Sequence, residues 1–205
     1  MEIELTPDLV LRAYAAGIFP MAESAAEERL VWFDPDPRAV IPLDETFHVP
    51  RRLARTLKHA PFEMAVDRDF DGVLASCAAT RPDTWINSSI RRVYGELHRL
   101  GFAHSVETRR DGVLVGGLYG VAMGAAFFGE SMFATVTDAS KAALVHLIQR
   151  LRAGGYTLLD SQFLTPHLAR FGACEIPRRD YRKQLADALQ LRTDFFALDR
   201  ATPPS

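Results

Sequence analysis

Glu130 stands alone as a charge in an otherwise apolar stretch, Phe127-Phe128-Gly129-Glu130-Ser131-Met132-Phe133. Placing a carboxylate beside that much hydrophobic surface costs several kcal/mol unless a partner offsets it. Such a residue serves either as a structural ion-pair member or as a receptor for a cationic ligand. A second carboxylate, Asp160, closes another apolar run, Leu158-Leu159-Asp160-Ser161-Gln162. Residues two apart on a strand face the same way, so Asp160 and Gln162 are expected to point into one site. An apolar pocket with a few convergent polar groups is the general form of a small-molecule site. Ser131 and Ser161 have no His at nucleophile-like spacing, which argues against a covalent intermediate. His104, within a strand, reads as a hydrogen-bonded core histidine, and Cys77, on an apolar helix face, as a buried one.

The elements that must carry these groups are legible from periodicity. Thr6-Pro7 caps and opens a helix with Leu9, Val10, Ala13 and Tyr14 on one face, stopped at Gly17. An acidic segment, 23–29, follows it. Next come a Pro-punctuated turn through Asp34 to Arg38, a short strand at Ala39-Val40-Ile41 and a helix over 49–58. Beyond a boundary at Ala60-Pro61, a strand over 62–66 precedes a helix carrying Phe70, Val73, Leu74 and Cys77. The stripe Ile90, Val93, Tyr94, Leu97 and Leu100 predicts another. Asp111-Gly112 between apolar runs predicts a hairpin joining 103–108 to 113–121, extended into a meander by 125–128. Asp138 is expected to cap a helix with Leu144, Leu147, Ile148 and Leu151 on one stripe. A strand from Tyr156 to Leu159 ends at Asp160, Thr165-Pro166 starts a short helix, and the last helix spans 178–189. The reading is an α+β protein with a mixed, largely antiparallel sheet.

Composition excludes several classes. The chain has 205 residues, 48% hydrophobic and 24% charged, with net charge −2, the profile of an ordinary globular protein. No run approaches the roughly twenty apolar residues of a membrane span, the start lacks a signal-peptide layout, and two isolated cysteines offer no metal or disulfide framework. A cytosolic monomer without metal or cofactor is expected. Four Arg pairs, at 51–52, 91–92, 109–110 and 178–179, could hold phosphates where they converge.

The ordered blocks YAAGIFPMAE (14–23), WFDPDPRAVIPL (32–43), TWI (84–86), AHSVE (103–107), LVGGLYGVAMG (114–124), FFGESMF (127–133), ASKAAL (139–144), LLDSQ (158–162) and FGACEIPRRDY (171–181) cover most of the chain. Together they resemble the bacterial leucyl/phenylalanyl-tRNA–protein transferases. That resemblance implies a small N-terminal domain (1–60) and a catalytic domain like the GNAT-type N-acetyltransferases (61–205). It implies transfer of Leu, Phe and, less readily, Met from aminoacyl-tRNA to proteins with N-terminal Arg or Lys, marking them for degradation. It also implies roles: Asp160 and Gln162 as the catalytic pair, Glu130 beside the reacting amine, and Trp85 at the adenosine end of the tRNA. Leu118, Phe127, Leu147, Leu151 and Leu159 would line the apolar pocket. Departures from the family pattern are Arg109, Ala134, Asp138 and the Ser161 of DSQ. Two other readings compete, an acyl-CoA N-acyltransferase and a non-catalytic binder of cationic N-termini. The turn before the main helix, Thr135-Val136-Thr137-Asp138, is acidic and glycine-free, unlike a pyrophosphate cradle.

Overall fold

The computed structural model describes residues 4–27, 29–59, 62–80 and 84–201. The order of elements is α1 (Pro7–Ala15), β1 (Phe19–Ala22), β2 (Leu30–Phe33), β3 (Arg38–Ile41), α2 (Arg51–His59), β4 (Glu63–Val66), α3 (Phe70–Ala79), α4 (Ser88–Arg99) and β5 (Ala103–Arg110). It continues with β6 (Val113–Met123), β7 (Ala126–Ala134), α5 (Ala139–Ala153), β8 (Leu158–Gln162), α6 (Pro166–Ala169), β9 (Cys174–Ile176), α7 (Arg178–Leu189) and α8 (Ala197–Ala201). β1 and β2 form a separate hairpin, and the remaining strands form one sheet in the order β4-β5-β6-β7-β8-β3-β9. Every neighbouring pair in that sheet is antiparallel except β7 and β8, which run parallel through α5.

Alternation along the strands builds two cores, one on each face. Tyr119, Phe128 and Leu158 pack with Tyr14, Phe70, Ile90, Tyr94 and Tyr181, beneath α1, α3, α4 and α7. Their strand neighbours Leu118, Phe127 and Leu159 pack with Leu53, Leu144, Leu147, Ile148 and Leu168, beneath α2, α5 and α6. The advertised stripes are largely buried, except that Leu100 falls just past the end of α4 and is exposed. Thr6 caps α1 by accepting the Leu9 N–H at 3.3 Å, and Asn87 caps α4 through Ile90 at 2.9 Å.

Several local expectations change. The chain between Phe19 and Phe33, read only as an acidic segment and a turn, contains the paired strands β1 and β2. β7 runs on to Ala134 and β8 to Gln162, so Glu130 and Asp160 lie inside strands. Asp138 does not cap α5; it sits in the left-handed region, φ +67°, and pairs with Lys141. The boundary expected at Ala60-Pro61 falls on residues outside the described set. The sheet crosses it, because β3 lies N-terminal to it yet pairs between β8 and β9.

Candidate active site

β7 and β8 pair only as far as Phe128 and Asp160. Both strands then continue, and each carries an irregularity immediately beyond the last pair. On β7, Gly129 faces Gly120 and Ser131 faces Tyr119, leaving Glu130 as an extra residue. On β8, Asp160 faces Val40 and Gln162 faces Ala39, leaving Ser161 as the extra residue. A bulge bends its strand and re-aims the side chain it carries. Two bulges at the point of divergence split the sheet and open a cavity of about 480 Å³, within the usual range for small-ligand pockets.

One wall of that cavity is apolar, made by Ile41, Leu118, Leu144, Leu147, Leu159 and Leu168. Phe19, Met21, Trp85 and Phe163 stand elsewhere around it, and Tyr119, Glu130, Ser161, Gln162 and His167 supply polar groups. Five buried side-chain polar atoms lack a hydrogen-bond partner among the described residues. Four of them, Tyr119 Oη, Ser161 Oγ, Gln162 Nε2 and His167 Nε2, belong to residues of this cavity. Orphaned buried polar atoms are rare in folded proteins, and four of these five belong to residues around this cavity.

Glu130 is held by phenols. Tyr14 Oη donates to Oε1 at 2.5 Å, Tyr94 Oη lies 3.3 Å from Oε2, and the two phenol oxygens are 2.6 Å apart. Each phenol has one proton. Tyr14 gives its proton to Oε1, and Tyr94 can give its own to Oε2 or to the Tyr14 oxygen. Burial raises the carboxyl to about 7; the Asp160 charge adds to the rise, while the Tyr14 and Tyr94 hydrogen bonds oppose it.

Asp160 is fully buried, and its carboxylate is consumed by the protein. Oδ1 accepts from Arg38 Nε at 2.9 Å and from the Gln162 N–H at 2.9 Å. Oδ2 accepts from Arg38 Nη2 at 2.6 Å and from Tyr181 Oη at 2.8 Å. Arg38, itself fully buried, lies 4.8 and 4.5 Å from the Phe19 and Tyr181 ring centres and donates to the Gly17 carbonyl at 2.9 Å. The hydrogen bond from the Gln162 N–H accompanies a left-handed backbone at Gln162, φ +62°. Asp160 and Gln162 both border the cavity, with the Asp160 carboxylate engaged by the protein. The Ser161 bulge breaks the alternation, and only the Gln162 amide is free to meet a ligand.

Of the residues expected at the site, Glu130, Asp160, Gln162, Trp85, Leu118, Leu147 and Leu159 border the cavity. Phe127 and Leu151 do not. Both are completely buried in the core under α5, with Phe127 stacked on Phe195 at 5.7 Å. The stripe brings Leu144 to the wall instead. Arg109 is also remote from the cavity, bonded through Nε and Nη2 to Glu107 at 3.0 and 2.7 Å. Sequence reasoning missed Arg38, Tyr14 and Tyr94 as members of the site, although each lies in a quoted block or helical stripe. His104 is buried and bonds Asp67 at 2.7 Å, as a core histidine should. Among the described residues no group of three His, Cys, Asp or Glu side chains is arranged to hold a metal ion, and no helix is long and apolar enough to cross a membrane.

The sequence profile described as leucyl/phenylalanyl-tRNA protein transferase matches residues 40–186, and that of the family's N-terminal domain matches residues 3–36. The chain belongs to the leucyl/phenylalanyl-tRNA protein transferase family. It is 56% identical over 201 residues to the leucyl/phenylalanyl-tRNA–protein transferase of Caulobacter vibrioides, covering 97% of this chain and 92% of that one. It is 58% identical over 205 residues to that of Nitrobacter winogradskyi, covering 98% and 91%. The C-terminal domain (DUF2156) of a putative lysylphosphatidylglycerol synthetase from Agrobacterium fabrum superimposes with a TM-score of 0.47 at 15% identity, covering 90% of this chain and 70% of that one. The first profile ends at residue 36 and the second begins at residue 40, within β3.

Proposed function

We propose that this transferase moves Leu, Phe and, less readily, Met from aminoacyl-tRNA to the α-amino group of proteins bearing N-terminal Arg or Lys, in the cytosol, and so marks them for degradation. The observation that carries this reading is one cavity holding both an apolar wall and the half-buried Glu130 carboxylate. The wall suits an unbranched-at-Cβ side chain of the donor. Oε2 of Glu130 suits a guanidinium or ammonium group.

The chemistry asks little of the protein beyond placement. The donor ester is activated, and an α-amino group with a reference pKa of about 7.7–8.0 has a useful neutral fraction at neutral pH. The amine nitrogen attacks the ester carbon, the bond from that carbon to the ribose oxygen breaks, and the oxygen leaves as a hydroxyl with a proton from the amine. The adjacent ribose hydroxyl can relay that proton. Gln162 Nε2, with no other partner, donates to the carbonyl oxygen as charge develops there. Asp160 acts behind it, fixing the Gln162 backbone without taking a proton. Trp85 receives the terminal adenosine. Aligning amine and ester contributes roughly 7–11 kcal/mol.

The tRNA body requires a cationic surface. α2 offers Arg51, Arg52, Arg55 and Lys58, all exposed, with no acidic residue in the helix and no ion-pair partner for them among the described residues. The splayed parallel pair in an otherwise antiparallel sheet supports kinship with the GNAT-type acyltransferases. The deciding assay incubates the protein with charged leucyl-tRNA and a peptide beginning with Arg. A Leu-Arg product is expected; its absence with active reagents would sink the reading, and acyl transfer from acetyl-CoA instead would replace it.

A further inference from the structure

Four glycines lie within β6 and β7: Gly116, Gly117, Gly120 and Gly129. A glycine inside an element costs roughly 0.5–1 kcal/mol of stability, so each calls for a reason. For three the reason is close packing. A Cβ on Gly116 would meet Ala139 Cβ at 2.5 Å, one on Gly117 the Val106 carbonyl oxygen at 2.9 Å, and one on Gly120 the Phe127 ring at 2.3 Å.

Gly129 has no such neighbour. Its φ lies outside the left-handed region, and a Cβ there would meet only the Asp160 carbonyl oxygen, at an ordinary 3.5 Å. The fold therefore tolerates a side chain at this position. Gly129 is also the first residue of β7 beyond the last parallel pair, it precedes the bulged Glu130, and it borders the cavity. The empty side-chain position lies beside Asp160, at the neck where the two strands part.

We propose that Gly129 is a positioning residue, kept free of a side chain so that the attacking amine can enter the neck between β7 and β8 and reach the ester carbon between Glu130 and Gln162. This rests on the aminoacyl-transfer reading above. A methyl group at the neck displaces the amine on the scale of an ångström, enough to lower the rate by about 10²-fold. Leu144 and Leu147 of the wall come from α5 and Trp85 precedes α4, so binding of the donor is expected to be spared.

The test compares Gly129→Ala and Gly129→Val with the wild-type protein, and with Gly120→Ala as a packing control. Three quantities are read: the thermal midpoint, the affinity for 3′-deoxy-3′-(phenylalanylamino)adenosine, a non-hydrolysable amide mimic of the charged tRNA end, and kcat for transfer to an Arg-initiated peptide. Gly129→Ala is expected to keep the wild-type midpoint and to bind the mimic within about threefold of wild type, while kcat falls about 100-fold and Gly129→Val falls further. Gly120→Ala should lose thermal stability. Wild-type kcat in Gly129→Ala would overturn the proposal, as would a loss of kcat that tracks a lowered midpoint. Inactivity of the wild-type protein would overturn the parent reading, and the neck with it.

Discussion

Arg38 and Asp160, 122 residues apart in the chain, form a two-bonded ion pair sealed from solvent directly behind the Gln162 amide. The guanidinium fork matches the carboxylate, and the Phe19 and Tyr181 rings pack against it. The pair ties β3 to β8 and, through the Gln162 N–H, fixes the backbone that presents the amide to the cavity.

Breaking this pair from one side leaves the other charge buried alone, which costs about 3–5 kcal/mol. Arg38→Ala and Asp160→Asn are each expected to lose stability on that scale, read from the midpoint of urea unfolding. Joint replacement by apolar residues should recover part of the stability and none of the activity. Transfer that survives Asp160→Asn undiminished would show that the Gln162 backbone is held by other means.

Glu130 makes stability and acceptor binding depend on pH. Its folded pKa is raised from 4.5 to about 7, so the folded state holds a proton that the unfolded chain has released. Stability falls as pH rises from about 4.5 to about 7, and the full cost, roughly 3 kcal/mol, is present above that window. Glu130→Gln should flatten this dependence in denaturant titrations between pH 4 and 8. It should also abolish the use of Arg acceptors, while the adenosine mimic still binds. In the wild-type protein, a cationic acceptor favours the carboxylate, so its affinity should rise with pH up to about 7 and binding should release a proton. Calorimetry in buffers of different ionisation enthalpy measures that release.

Tyr14 and Tyr94 hold the charged form of Glu130 through their hydrogen bonds, each of which lowers its pKa. Removing either phenol must therefore push the carboxyl upward. Tyr14→Phe should move the acidic limb of the pH–rate profile to higher pH, with the shift read in kcat/KM for the Arg peptide. An unmoved limb would assign that limb to another group.

Leu147 and Leu151 test where the pocket wall ends. Leu147 borders the cavity and Leu151 does not. Leu147→Phe should shorten the pocket and shift the Leu-over-Phe donor ratio by about tenfold or more, the scale of one or two methylenes. Leu151→Phe overpacks the core and should cost about 1–3 kcal/mol of stability with an unchanged ratio.

For α2, reversing Arg51, Arg52 and Arg55 to Glu should weaken binding of whole tRNA and reduce its salt dependence by about one counterion per lost phosphate contact. The adenosine mimic should bind as before. Equal loss for both ligands would place the effect in the fold instead of on the tRNA surface.

Much of this was legible in sequence, for local reasons. The stripe Ile90, Val93, Tyr94 and Leu97 is the buried face of α4 because a helix repeats every 3.6 residues. Asp111-Gly112 turns β5 into β6 because Asp and Gly accept positive φ, here 52° and 76°. The lone carboxylate Glu130 announced a polar site because charge beside apolar surface demands a partner. By contrast, Phe127 and Leu151 were assigned to the pocket wall by resemblance, and periodicity cannot separate a wall residue from its neighbour one layer deeper in the core.

Residue type and spacing were enough for most helices and the central strands, the faces they bury, the family, and the pairing of an apolar wall with acidic and amide groups, though not for β1, β2, β9 or α8. Those are properties of residue type and short spacing. The parting of β7 and β8 after Phe128 and Asp160, the bulges at Glu130 and Ser161, and the burial of Asp160 against Arg38 came only from the folded chain. Each of these depends on which strand lies beside which. Strand pairing is settled by packing energy summed over residues far apart in the chain, and no local pattern of side chains carries it.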